Sequence, residues 1–151
     1  MTVYLSLGAN LGDREAQLRL AVAEIENRIG RVVRQSGFFV TQPWGFRSDN
    51  LFLNACVAVE TALPPHALLQ QTQAIERHLG RTRKTQGGRY ADRPIDIDIL
   101  LYGSLTINDP DLQIPHPRIA ERLFVLEPLA QIAPDLTIPG TGKTVAQLLQ
   151  R

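Results

Sequence analysis

Cysteine is nearly missing from this chain. Cys56 is the single one in 151 residues, so no internal disulfide can form. It lies in the apolar run Leu53-Asn54-Ala55-Cys56-Val57-Ala58-Val59, the setting of a buried thiol in a reducing compartment. No apolar run reaches the roughly 20 residues that span a bilayer, which excludes a membrane-anchoring helix and a membrane partner. The N-terminus, Met1-Thr2-Val3-Tyr4-Leu5-Ser6-Leu7, carries no basic leader, so the expected location is the cytoplasm. An excess of one charge is lacking too: 16 Lys and Arg stand against 15 Asp and Glu, a net +1 that excludes a broad polyanion-binding surface. Aromatic residues make up 6%, too few for the stacking sheet of an RNA-binding module, so nucleic acid is not an expected partner. Repeats, linkers and low-complexity runs are missing as well. At 44% hydrophobic and 21% charged, residues 1–151 read as one globular domain, for which a monomer needs no extra assumption.

Several kinds of chemistry lack their residues. His66, His78 and His116 are scattered and have no cysteine partner at ligand spacing, so they form no zinc set. Ser6, Ser36, Ser48 and Ser104 lack the context of an activated nucleophile. Gly140-Thr141-Gly142-Lys143-Thr144 imitates the tail of a phosphate-binding loop, but Thr137 occupies the position of its first glycine. It reads as a turn before a terminal helix. Gly8-Ala9-Asn10-Leu11-Gly12 is equally explained by a tight strand-to-helix turn.

What is present is concentrated in Arg93-Pro94-Ile95-Asp96-Ile97-Asp98-Ile99-Leu100-Leu101. The alternation has the period of a strand, so Ile95, Ile97 and Ile99 share one face and Asp96 and Asp98 the other. Two like charges side by side repel and lose water, and sheet packing does not ask for them. A hard cation such as Mg²⁺ removes that objection and commonly holds substrate phosphates as well. A solvated acidic edge is the bland alternative. Just upstream, Arg77, Arg81, Arg83, Lys84, Arg89 and Arg93 face only Asp92. A cationic loop beside paired carboxylates suits a polyanionic ligand, and arginine grips phosphate with a planar fork. With no nucleophile in view, direct phosphoryl-group transfer fits best. Pro115-His116-Pro117 pins a further donor, although a histidine in a rigid turn is as good a reading of that motif alone.

The predicted elements are a strand at Val3–Leu7, a helix capped by Asp13 and stopped by Gly30, and a strand from Val32 to Thr41. A long strand from Leu51 to Leu63 follows, then a helix from Pro64-Pro65 to Gly80. A polar loop runs from Arg81 to Arg93, and a last strand from Ile95 to Tyr102. After Pro117 the chain reads as largely helical, broken at Pro128, Pro134 and Pro139. The order strand-helix-strand-strand-helix-strand predicts a ferredoxin-like α+β core, an antiparallel sheet with helices on one face, plus a C-terminal helical extension.

Taken together, "YLSLGANLGD", "TQPWG", "FLNACVAVET", "IERHLGRTR", "RPIDIDILLYG" and "IPHPRIAERLFVLEPLAQIAPDL" run in order along nearly the whole chain. In this the sequence resembles the 6-hydroxymethyl-7,8-dihydropterin pyrophosphokinases of folate biosynthesis, whose fold is ferredoxin-like. The resemblance implies transfer of pyrophosphate from the co-substrate ATP to the pterin hydroxymethyl group, with two Mg²⁺ ions held at Asp96 and Asp98. It implies phosphate contacts from Arg81, Arg83, Arg93, His116 and Arg122, and nucleotide contacts from Gln73, Glu76 and the backbone at Ile99. It assigns the pterin to Thr41, Pro43, Trp44, Phe52, Asn54, Tyr90, Asp96 and Phe124, with Arg83, Arg93, Asp96 and Asp98 nearest the chemistry. Stacking between Phe52 and Phe124 and an amide at Asn54 suit a flat heterocycle with a donor–acceptor edge. Without the resemblance, both phenylalanines would count as core. Tyr90 stands where the family has tryptophan, and Pro117 where tyrosine is common. Other readings of such a fold are a metal-dependent nucleotidyl transferase or cyclase, and a non-enzymatic RNA-binding module. The first would turn over ATP without a pterin, and the second would bind RNA without turnover.

Overall fold

The computed structural model describes residues 1–10, 13–41, 51–80 and 95–150. Its centre is a five-stranded antiparallel sheet made of β1 (Thr2–Ala9), β2 (Gly30–Gln35), β3 (Phe39–Thr41), β4 (Phe52–Thr61) and β5 (Asp96–Tyr102). The side-by-side order is β2, β4, β1, β5, with β3 alongside the other end of β4. β1 and β4 are thus central, and their nearly continuous apolar sequences are buried on both faces.

Two helices cover the first face. In α1 (Arg14–Arg28), Leu18, Ala21 and Ile25 recur at helical spacing and face the sheet. The Asp13 carboxylate caps this helix by accepting the Ala16 N–H (3.1 Å). In α2 (Pro65–His78), the proline at the start has no N–H to strand, and Leu68 and Ile75 are fully buried. α1 packs on β1 and β4 and α2 on β5, in one core with Val3, Leu5 and Leu7 of β1, Val57 and Val59 of β4, and Ile97 and Ile99 of β5.

The second face is covered as well, which corrects the expectation of helices on one side only. Cys56 and Ala58 of β4 lie under α3 (Leu123–Ile132), on which α4 (Val145–Leu149) packs in turn, in one core with Val125, Leu126, Leu129 and Leu148. The C-terminal region is also less helical than expected. It contains the hairpins β6 (Ile107–Asp109) with β7 (Leu112–Ile114) and β8 (Thr137–Ile138) with β9 (Lys143–Thr144). Pro134 and Pro139 lie outside the helices, but Pro128 sits buried within α3. Its ring packs in the core, which offsets the one helical hydrogen bond it cannot donate.

Gly30 does not end α1 by taking a left-handed conformation. It opens β2, where a Cβ would lie 1.9 Å from the Glu60 carbonyl oxygen. The strand expected from Val32 to Thr41 is likewise broken between β2 and β3. There the Ser36 N–H still donates to the Cys56 carbonyl (2.9 Å), while side chains take the other places: Ser36 Oγ accepts the Cys56 N–H (2.9 Å) and Gln131 Oε1 accepts the Gly37 N–H (2.8 Å).

Candidate active site

Register places the acidic pair. Asp96 pairs with Gly8 and Asp98 with Ser6 on β1, and these pair in turn with Asn54 and Cys56 on β4. Directly paired residues share a face, so Asp96, Gly8 and Asn54 form one row across three strands and Asp98, Ser6 and Cys56 the next. Ile95, Ile97 and Ile99 lie in the opposite core, as their alternation predicts. Past Ile99 the alternation resets at a bulge: Leu5 pairs with Ile99 but Tyr4 with Leu101. Leu100 and Leu101 both join the second core, so the face that carries the acids turns apolar where α3 covers it. On that face Asp96 and Asp98 are half-buried.

Gly8 shapes the other side of the row. A Cβ there would meet Asn54 Oδ1 at 2.8 Å and Phe52 Cδ1 at 3.5 Å. The missing side chain lets the amide and the ring lean over β1 together. Asn54 is buried and Phe52 half-buried. The expectation of a strand-to-helix turn at Gly8 is therefore corrected: it belongs to β1, and its smallness serves a close approach. Asn10, also buried, follows two residues on. A glycine within a strand pattern, opposite an asparagine, was the available signal for this feature.

The C-terminal layer supplies the third side. The Ile114–Pro115 peptide is cis. The His116 N–H donates to the Leu100 carbonyl (3.0 Å), which ties this segment to β5. Its Nδ1 accepts the Arg118 N–H (3.3 Å), leaving Nε2 as the proton-bearing nitrogen of the neutral ring. Burial first, then the Arg122 charge, push the imidazole down to about 4, while Asp96 pulls the other way. His116 is thus a neutral donor at neutral pH, in the combined field of Arg122 and Asp96. Arg122 is buried, with its guanidinium 5.5 Å from the centre of the half-buried Phe124 ring. Asp96, His116, Arg122 and Phe124 are brought together by these relations.

Glu76 is buried on α2, and its Oε2 accepts the Ile97 N–H (2.8 Å). Gln73 is exposed on the same helix. The Ile99 side chain belongs to the core, and only its backbone is offered elsewhere. Thr41 pairs with Phe52 at the end of β3. Pro43, Trp44, Arg81, Arg83, Tyr90 and Arg93 lie outside the described residues. His66 and His78 are exposed, as expected. His66 stands between Asp109 (3.2 Å) and Asp111 (3.3 Å) and joins α2 to the β6–β7 hairpin. The Cys56 thiol is pushed up to about 12 by burial, so it offers no nucleophile.

The arrangement offers hard carboxylate oxygens, a neutral imidazole and a buried guanidinium beside an amide and two half-buried rings. Oxygen donors of this kind fit a hard divalent cation, and the cationic and neutral donors fit phosphate.

A family model described as 7,8-dihydro-6-hydroxymethylpterin-pyrophosphokinase (HPPK) matches residues 4–134. A Porphyromonas gingivalis protein named 2-amino-4-hydroxy-6-hydroxymethyldihydropteridine pyrophosphokinase is 52% identical over 133 residues, covering 87% of this chain and 90% of that protein. Proteins of the same name from Methylorubrum extorquens and Bacillus subtilis are 46% and 42% identical. They cover 98% and 95% of this chain and 91% and 85% of their own. In three dimensions, the chain is similar to a Plasmodium falciparum HPPK-DHPS structure with a TM-score of 0.80 at 18% identity. That match covers 99% of this chain but 45% of the Plasmodium one, so the chain spans under half of the solved protein. By the matched length and by these relatives, the chain belongs to the 7,8-dihydro-6-hydroxymethylpterin-pyrophosphokinase family.

Proposed function

We propose that this chain transfers the pyrophosphoryl group of ATP to the hydroxymethyl oxygen of 6-hydroxymethyl-7,8-dihydropterin, giving AMP and the pterin diphosphate, as a monomer in the cytoplasm. The proposal treats residues 1–151 as one domain with a ferredoxin-like core, supported by the way β4 lies between β1 and β2 and β5 lies outside β1. The observation that carries the functional reading is the row Asp96–Gly8–Asn54. It puts a carboxylate and an amide on one sheet face, which supports a phosphate-type site beside a heterocycle-type site.

The acceptor half rests on Asn54, whose amide matches a donor–acceptor edge, and on Phe52 and Phe124, which stack on a flat ring. Thr41, Pro43, Trp44 and Tyr90 complete this half of the proposal. On the nucleotide side, the buried Arg122 neutralises phosphate charge, and the neutral His116 ring donates Nε2–H without losing a proton. Arg81, Arg83 and Arg93 would add cations from the segment between α2 and β5, while Gln73 and the Ile99 backbone would face the nucleoside, with Glu76 buried behind them on α2 and bound to the Ile97 N–H. Asp96 and Asp98 would hold two Mg²⁺ ions, which when bound supply charge neutralisation that opens the β-phosphorus to attack. In the reaction the acceptor oxygen bonds to the β-phosphorus and the bridge to the α-phosphate breaks. AMP leaves with the bridging oxygen, and the hydroxyl proton is released. The protein's share is alignment and exclusion of water.

AMP should accumulate from ATP only when the pterin is added. Asp96→Ala and Asp98→Ala should each lower turnover by about 10³-fold while thermal unfolding stays near the parent value, since neither half-buried acid is core. AMP release without pterin, or normal rates in both variants, would overturn the reading.

A further inference from the structure

Glu76 is a carboxylate in a place where an apolar side chain would pack. It is 8% exposed, on the face of α2 that also buries Leu68, Thr72 and Ile75. A charge buried there is costly unless it is bound by good donors. One such donor is identified: the Ile97 N–H, 2.8 Å from Oε2. Ile97 lies between Asp96 and Asp98, the acids on which the proposed chemistry depends. β5 ends the sheet order, and Asp96 is its first residue, the place where a strand frays most readily. The β1 ladder holds this strand end from one edge, and the carboxylate from α2 holds it from the other.

We infer that Glu76 is a positioning residue whose hydrogen bond to the Ile97 N–H fixes the strand segment that aims Asp96 and Asp98 at a divalent cation. The role differs from a nucleotide contact: it acts through the backbone, and an acceptor oxygen at this place is what it requires. It rests on the proposed pyrophosphokinase reading, but its test separates the two. The Asn54 and Phe52 side of the site stands on β4 and owes nothing to the Glu76 bond, so acceptor binding should be spared.

The test compares Glu76→Ala with Glu76→Gln, which keeps an acceptor oxygen but no charge. In metal-free protein, hydrogen exchange at the Ile97 amide should speed up at least about tenfold in Glu76→Ala and stay close to the parent rate in Glu76→Gln. In the assay, Glu76→Ala should need about tenfold more Mg²⁺ for half-maximal rate and lose about 10²-fold in kcat, with KM for the pterin moved less than about threefold. Glu76→Gln should recover most of both losses. Parent-like Ile97 exchange and Mg²⁺ dependence in Glu76→Ala would overturn the inference. So would a Glu76→Gln protein that keeps the Ile97 amide protected yet is as impaired as Glu76→Ala, because charge would then be the working property. If Glu76→Ala does not fold, Glu76→Gln against the parent decides: a protected Ile97 amide together with an about tenfold higher Mg²⁺ requirement and an about 10²-fold lower kcat would overturn the inference. Failure of the parent protein to make AMP with pterin would end the functional reading, whereas an unshifted Glu76→Ala in an active parent ends only this inference.

Discussion

Gly8 shows how one missing methyl group can decide a site. The space above it is occupied by the Asn54 amide and the Phe52 ring, and a Cβ would stand 2.8 Å from Asn54 Oδ1. Gly8→Ala should therefore displace the amide and raise KM for the pterin by about tenfold or more while leaving KM for ATP nearly unchanged, the usual cost of overpacking. Initial-rate kinetics with each substrate varied in turn would check it, and equal effects on both substrates would contradict it. His116 carries a second consequence. Its pKa is pushed from 6.5 to about 4 on folding, so between those values the unfolded chain binds more protons. The share of stability that His116 contributes is then full above pH 6.5 and is lost as pH falls towards about 4, with an upper bound of about 3–4 kcal/mol that solvent screening of the half-buried ring lowers. Urea unfolding at several pH values should show this slope in the parent and a flatter one in His116→Asn.

Elements are held by contacts that their own periodicity does not reveal. Asp13 caps α1 as its position before the helix suggests, and the apolar spacing of both α1 and α2 faces the first core. Gly30 is different. A glycine after a helical pattern is commonly a left-handed stop, yet here it serves the pairing of β2 with β4, with Thr61 as its partner. Gly30→Ala would drive a Cβ towards the Glu60 carbonyl, 1.9 Å away, and should destabilise the protein by about 2–3 kcal/mol unless β2 shifts. Chemical denaturation would measure the loss, and a change under about 0.5 kcal/mol would show that the strand end gives way. The alternation from Ile95 into β5 as far as Ile99 is legible from spacing alone. The bulge that moves Leu101 to the other face depends on the β1 register, which lies nearly a hundred residues away in the chain.

Across the molecule, one sheet separates two cores, and the candidate site lies on the second face, beside the N-terminal end of α3 that carries Arg122 and Phe124. Truncating the second core should therefore be costly even though it lies outside the helix–sheet unit that the sequence makes plain. Leu126→Ala, at a fully buried position, should cost about 2–5 kcal/mol, comparable to Leu18→Ala in the first core. Thermal or denaturant unfolding of the two variants would compare them. A negligible loss at Leu126 would mean that the C-terminal layer contributes little to the folded state.

Local chemistry along the chain was enough to identify the order of the main elements, the shared face of Asp96 and Asp98, and the proline-flanked turn that holds His116. Those properties follow from side-chain period, backbone restriction and charge, all of which act over a few residues. The approach of Asn54 and Phe52 over Gly8, the Glu76 bond to Ile97, and the grouping of Arg122 and Phe124 with the acids came from the folded arrangement. Each depends on register or packing between distant segments, where the energy of a contact exists only after the chain has brought both partners together.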